Sequence, residues 1–185
     1  EARRKLGFVF QEHNLLPWYT VRENLELPLD VFGLRGEEWD ERIDNLLGIV
    51  GLREQVDSYP AELSASMRQR VGVIRALVHN PEILLMDEPF GTVDTTTRED
   101  LNVELLSIWR ETEKTIVYIT HNIEEAVLLS SRVLVMETNP GRITEEVSID
   151  LPRPRDTDLI TTDSFVEHVN RITNMIGELN LEIVE

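Results

Sequence analysis

The four apolar residues Ile83 to Met86 are preceded by Asn80-Pro81 and closed by Asp87, Glu88 and Pro89. The run is too short for a helix, and the Asn-Pro step stops whatever precedes it, so EILLMDEP at 82–89 reads as a buried parallel strand ending in two carboxylates. TTTREDLNVELLSIWRE follows as a helix, with Thr and Asp near its start and Leu101, Leu105, Ile108 and Trp109 on one face. KTIVYITH at 114–121 is a second β-branched run, NIEEAVLLSS a helix and RVLVMET a third strand. Strand, helix and strand in succession predict a parallel α/β sheet with right-handed crossovers. The carboxyl ends of strands 82–87 and 115–120 then share the edge where open α/β sheets bind ligands, so Asp87, Glu88 and His121 are expected to converge.

Upstream, LGFVF at 6–10 is a short strand, and QEHNLLPWYT with Pro17 breaks the periodicity as a loop. From 21 to about 80 the pattern is helical: Val21 to Leu29, then Glu37 to Val50, then Met67, Val71, Ile74 and Val78. This stretch reads as a helical insertion. After Pro140 come a turn, a strand over 143–149 and a Pro-rich exit to Pro154, and the tail from Asp158 is apolar at helical spacing.

The charge balance excludes several classes of function. With 18 Lys plus Arg against 35 Asp plus Glu, the net charge of −17 repels the polyanionic backbone that supplies most nucleic-acid affinity, and no local basic patch offsets it. At 185 residues and 41% apolar, the chain is long enough for one cored domain with an insertion. No Cys is present, which excludes a thiolate site and fits a reducing compartment. The apolar runs are far below the roughly 20 residues of a membrane span. The start resembles no secretory signal and lacks Met, so the chain is expected to begin inside a longer protein. Lys5 and Lys114 are the only lysines; a salt-rich cytoplasm and a GC-rich genome with an acidic surface both account for this.

Two clusters carry chemistry. A strand ending in Asp-Glu suits metal-assisted phosphoryl transfer, one carboxylate holding Mg²⁺ through its water shell and the other orienting the attacking water. A solvated strand end or a helix cap uses the same residues. Ser64 stands at the N-cap position of an amphipathic helix whose first turn holds Ala65, Ser66 and Met67, so free amides and the positive helix end face an anion. An ordinary Ser-capped helix is the alternative.

Taken together, GFVFQE with Gln11, LSASMRQRVGVIRAL, ILLMDEPFGTVD and ITHNIEEAV resemble, in order and context, the Q-loop, the signature sequence, the Walker B segment with the D-loop, and the switch-histidine segment of the ATP-binding subunits of ABC transporters. The resemblance covers residues 5–155. It implies a P-loop NTPase-like parallel-sheet core at 81–156 carrying Walker B, D-loop and switch His, an inserted helical subdomain at 12–80 carrying the signature, a C-terminal helical tail at 157–185, and N-terminal strands and a P-loop outside these residues. By the same resemblance Glu88 is the catalytic carboxylate and Asp87 supports Mg²⁺. Gln11 belongs to the Mg²⁺ and water environment, and His121 contacts the γ-phosphate. Asp94 communicates across a dimer. Ser64, Ala65, Ser66 and Met67 close over ATP held by the opposite subunit.

The implied assembly is a head-to-tail pair of ATPase subunits on the cytoplasmic face of the membrane, with two transmembrane permease subunits and an extracytoplasmic substrate-binding protein. Trp18, Tyr19, Trp39 and the residues around Leu15 and Leu16 either line the permease groove or belong to the subdomain core. LLPWYTVRENLELPL, DEPFGTVDTTTR and the trailing NPGRI with LPRPR resemble the nitrate, sulfonate, taurine and bicarbonate importer group. Two departures stand out. No GxxxxGK followed by Ser or Thr occurs, so these 185 residues alone are expected to be inactive, and a non-catalytic remnant or interaction protein is the alternative function. Ala65-Ser66 replaces the family's usual Gly-Gly, where glycine permits unusual backbone angles and close approach to phosphate.

Overall fold

A computed structural model describes residues 2–91, 93–137 and 140–182. The chain forms two compact units, 1–119 and 120–185. In the first, the element order is β1 (Leu6–Val9), α1 (Val21–Phe32), α2 (Glu37–Ile49), α3 (Ala65–Leu77), β2 (Ile83–Asp87), α4 (Thr95–Thr112) and β3 (Thr115–Ile119). In the second, α5 (Ile123–Leu129) precedes β4 (Arg132–Glu137), β5 (Arg142–Ser148) and α6 (Asp163–Glu182).

The three strands of the first unit form a parallel sheet in the order β1-β2-β3, with Val9 beside Met86 and Asp87 beside Ile119. The apolar run ending in carboxylates is thus the central strand. On one face Val9, Leu84 and Met86 are buried, and Gly7 runs so close to α3 that a Cβ would strike the carbonyl of Ala76. The other face is open: Phe8 and Phe10, stacked 5.9 Å apart, and Val117 and Ile119 are each about half exposed. Parallel sheets are ordinarily covered on both faces.

The helices between β1 and β2 are placed by capping as well as by apolar stripes. Thr20 and Glu23 form a capping box at the start of α1, which ends at Gly33 in the left-handed conformation, and Val21, Leu25 and Leu29 are buried at four-residue spacing. Fully buried Asn24 accepts from the Leu16 amide at 2.8 Å and donates to the carbonyls of Leu16, Tyr19 and Thr20, closing the loop ahead of α1. Arg75 of α3 clasps the same loop further upstream, donating to the carbonyls of Asn14 at 2.8 Å and His13 at 2.9 Å. Arg42 of α2 donates to the carbonyls of Leu77 and Val78, satisfying acceptors at the end of α3.

One sheet assignment differs from the sequence reading. RVLVMET supplies a strand, β4, but it does not join the parallel sheet; it pairs antiparallel with β5. A short hairpin closes with far less loop entropy than a crossover, and periodicity reports a strand without naming its neighbour.

His79, just beyond α3, is buried against the Phe32 ring, with Nε2 donating to the Leu6 carbonyl at 3.1 Å and Nδ1 buried without a hydrogen-bond partner. Burial, with Arg42 and Arg4 nearby, holds it below the usual value of 6.5, and burial with Arg68 and Arg75 does the same for His13. Because the folded form resists the proton that the unfolded chain accepts, stability is complete above about pH 6.5 and falls as the pH drops through the window below it. Thermal unfolding between pH 7.5 and 5 is expected to show a shallower loss for His79→Gln than for the wild type. Equal slopes would count against this account.

Candidate active site

At the carboxyl end of β2 the chain leaves the sheet in a tight turn. Glu88 has φ of +43°, a left-handed conformation disfavoured for a residue with a Cβ. Its amide donates to the Ile119 carbonyl at 2.9 Å, extending the β2–β3 ladder past Asp87, and the Gly91 amide donates to the Glu88 carbonyl at 3.0 Å. Pro89 and Phe90 are buried, the latter against the Tyr118 ring at 6.3 Å, while Asp87 is exposed and Glu88 half-buried. The strained turn therefore projects two carboxylates from a rigid strand end.

Gln11, from the loop after β1, reaches the same place. A Cβ on Gly91 would lie 3.2 Å from Gln11 Nε2 and 3.3 Å from Glu88 Oε2, so both head groups border the space left by the missing side chain. The structure thus brings Gln11 and Glu88 together beside Asp87. Among the described residues no group of three or more His, Cys, Asp or Glu side chains is arranged to hold a metal. Mg²⁺ binds through one or two protein oxygens with water and phosphate completing its shell, and the hard oxygens of Asp87 and Gln11 are of the kind that requirement calls for.

Ser64 caps α3, accepting from the Met67 amide at 3.2 Å, and its hydroxyl pairs with that of Ser66 at 3.0 Å. Ser64 and Ala65 are exposed, Ser66 and Met67 half-buried. Ala65 and Ser66 occupy the first turn of the helix, and neither has positive φ. The unusual backbone angles for which glycine is needed are therefore not used here.

Asp94 caps α4 and is exposed; its carboxylate accepts from the Thr97 hydroxyl at 2.7 Å and amide at 3.1 Å, and these two bonds hold it below the usual carboxylate range. His121 belongs to the second unit, exposed, two residues beyond the end of β3 and next to Asn122, which caps α5 by accepting from the Glu125 amide at 3.1 Å.

Two residues of this neighbourhood escaped the sequence reading. Gly91 stands out in the sequence only within the motif, although a glycine two residues after a Glu-Pro step is a turn signal. Gln69 lies within the signature segment between Arg68 and Arg70, flanking charges that give no sign of burial, yet it is buried and its amide donates to the Pro89 carbonyl.

The family described as ABC transporter matches residues 1–91. The chain is 45% identical over 172 residues to an uncharacterized ABC transporter ATP-binding protein, MJ0412, of Methanocaldococcus jannaschii, covering 93% of this chain and 63% of that protein. It is 49% identical over 147 residues to the taurine import ATP-binding protein TauB of Rhizobium johnstonii, covering 80% and 56%, and 42% identical over 164 residues to the aliphatic sulfonates import ATP-binding protein SsuB of Bacillus cereus, covering 89% and 63%. The chain thus spans less than two thirds of the length of these relatives. Among solved structures, the dimeric, post-hydrolysis ATP-binding cassette MJ0796 bound to ADP and Pi superposes with a TM-score of 0.66 at 36% identity, covering 82% of this chain and 66% of that one.

Proposed function

The chain belongs to the ATP-binding proteins of ABC transporters, and from that premise we propose that it supplies part of a subunit coupling ATP hydrolysis to import of a small anion such as a sulfonate or taurine. The observation that carries this reading is the strained Asp87–Gly91 turn, where Glu88 and Gln11 border one space beside Asp87. Mg²⁺, when bound, neutralises developing phosphate charge. The chain's own part is positional: Asp87 would hold the ion's water shell, Gln11 would orient the attacking water, and Glu88 would accept its proton as it attacks. His121 contacts the γ-phosphate. Ser64 to Met67 at the amino end of α3 face the neighbouring subunit's nucleotide and Asp94 communicates across the interface, which makes the active unit a head-to-tail pair of cassettes with two ATP molecules.

The chemistry divides between these residues and a phosphate-cradling segment that is not among them. Two observations support the division: the 185 residues contain no GxxxxGK followed by Ser or Thr, and one face of the parallel sheet leaves Phe8, Phe10, Val117 and Ile119 open. Within 12–80, Trp18 is 67% exposed while Leu15 is buried and Trp39 half-buried. Trp18 is accordingly the aromatic anchor offered to the permease subunits, which a substrate-binding protein would serve from the far side of the membrane. No helix among the described residues is long and apolar enough to cross a membrane; the peripheral position at the cytoplasmic face is carried by the likeness to import ATP-binding proteins.

The test compares the full-length subunit with residues 1–185 alone. With Mg²⁺, the full-length subunit is expected to bind ATP and release phosphate, and the 185 residues to bind at least about 100-fold more weakly, since the amide cradle and its lysine are absent. Equal affinity would overturn the division of labour. A full-length protein releasing no phosphate would favour the interaction-protein alternative.

A further inference from the structure

We propose that Gln69 is a positioning residue for Glu88, linking the helix that faces a neighbour's nucleotide to the catalytic turn of the same chain. The inference rests on the reading of Glu88 as the catalytic carboxylate. Three consecutive residues of α3 serve three different ends. Arg68 donates to the Leu63 carbonyl at 2.5 Å and the Pro60 carbonyl at 3.3 Å, bracing the approach to the Ser64 cap, and Arg70 pairs with Glu104 of α4 at 2.8 Å. Gln69 between them is 3% exposed and donates its amide to the carbonyl of Pro89.

That carbonyl lies inside the turn whose conformation sets where the Glu88 carboxylate points. Glu88 holds a left-handed backbone that a residue with a Cβ leaves readily unless neighbours oppose it. The Glu88 amide is tied to β3 through Ile119, and the Gly91 amide folds back on Glu88. Between those two bonds the Pro89 carbonyl is held from α3 by Gln69. Without Gln69, the Pro89 carbonyl is a buried acceptor that must find another donor, and rotating its peptide to do so moves the flanking Glu88. Ser64 and Gln69 belong to one helix and its cap, so a displacement of α3 when Ser64 closes on a nucleotide is transmitted to the chain's own carboxylate. A displacement on the order of 1 Å at a proton acceptor is enough to cost about 100-fold in rate.

The experiment uses the full-length subunit and its Gln69→Leu and Gln69→Met variants, which keep the approximate side-chain volume and remove the donor. Turnover at saturating ATP is expected to fall about 10- to 100-fold with nucleotide affinity changed less than about twofold. In a Glu88→Gln background the same substitutions should produce no further loss, because the group they position is already gone. Hydrogen exchange on the wild type provides a second measurement that needs no variant: the Gln69 side-chain amide protons should exchange far more slowly than those of Gln11, which is exposed. Turnover within twofold of wild type in the Gln69 variants, a parallel loss of affinity and turnover, or Gln69 amide protons exchanging as fast as those of Gln11 would each overturn the proposal while leaving Glu88 in its role. Wild-type turnover in Glu88→Gln alone would instead overturn the reading beneath it.

Discussion

Replacing Glu88 with glutamine in the full-length subunit is expected to leave ATP binding nearly unchanged and to lower turnover by about 100- to 10,000-fold, the range spanned by removal of a positioned proton acceptor. The substitution preserves size and hydrogen-bonding reach, so the turn at φ +43° and the amide contact to Ile119 should survive. What disappears is the basic oxygen bordering Gln11 across the space at Gly91. On the proposed division of labour the phosphate and base contacts that bind the nucleotide lie elsewhere, and loss confined to turnover is the signature of an interaction made only in the transition state. Phosphate release under single-turnover conditions, measured beside nucleotide affinity, checks this. Turnover within about tenfold of the wild type would remove Glu88 from the chemistry.

The second large effect concerns stability in the unit formed by residues 120–185. Arg155 is 6% exposed and donates to five main-chain carbonyls: Val127 at 3.1 Å, Leu128 at 3.0 Å, Ser130 at 2.6 Å, Ile149 at 3.2 Å and Leu151 at 3.1 Å. It joins the last turn of α5, where carbonyls lack intrahelical partners and the helix dipole favours a cation, to the chain leaving β5. Arg155→Ala strips a donor from all five acceptors at once and is expected to cost about 3–5 kcal/mol. Lysine carries three donors rather than a planar fork, so Arg155→Lys should fall between. Burial, with Arg153 adjacent, pushes the guanidinium down to about 10. Only above that value does its proton uptake differ between folded and unfolded chains, stability there rising with pH; between pH 6 and 9 the loss should be constant. Hydrogen exchange of the α5 and α6 amides reads this unit directly. Unchanged protection in Arg155→Ala would show that the carbonyls find other donors.

Arg155 also marks where reading along the chain stops being informative. In LPRPR it looks like the polar exit of a Pro-rich segment, and nothing in its neighbours signals burial. Gln69 is similar: between two arginines it reads as solvated, whereas those arginines turn to partners on either side and leave it facing the turn after β2. In the sequence Trp18 suits a groove or the core equally and Trp39 leans to the core; their exposure separates them, Trp18 at 67% and Trp39 half-buried. By contrast, the strand at 83–87 and its carboxylate end, the helix over 65–77 with its serine cap, and the helix over 95–112 were legible, because each depends on spacing and capping within a few residues.

The order of residues was enough to dictate the elements, the family and the two carboxylates at a strand end, since periodicity, turn chemistry and motif spacing are local properties. Three-dimensional packing settled which strands pair, sending β4 to β5 rather than to the parallel sheet, brought Gln11 to Glu88 across the space at Gly91, and buried the polar side chains of Gln69 and Arg155. The reason is physical: a polar side chain goes inside only when distant backbone supplies its hydrogen-bond partners, and that supply exists only once the elements have met.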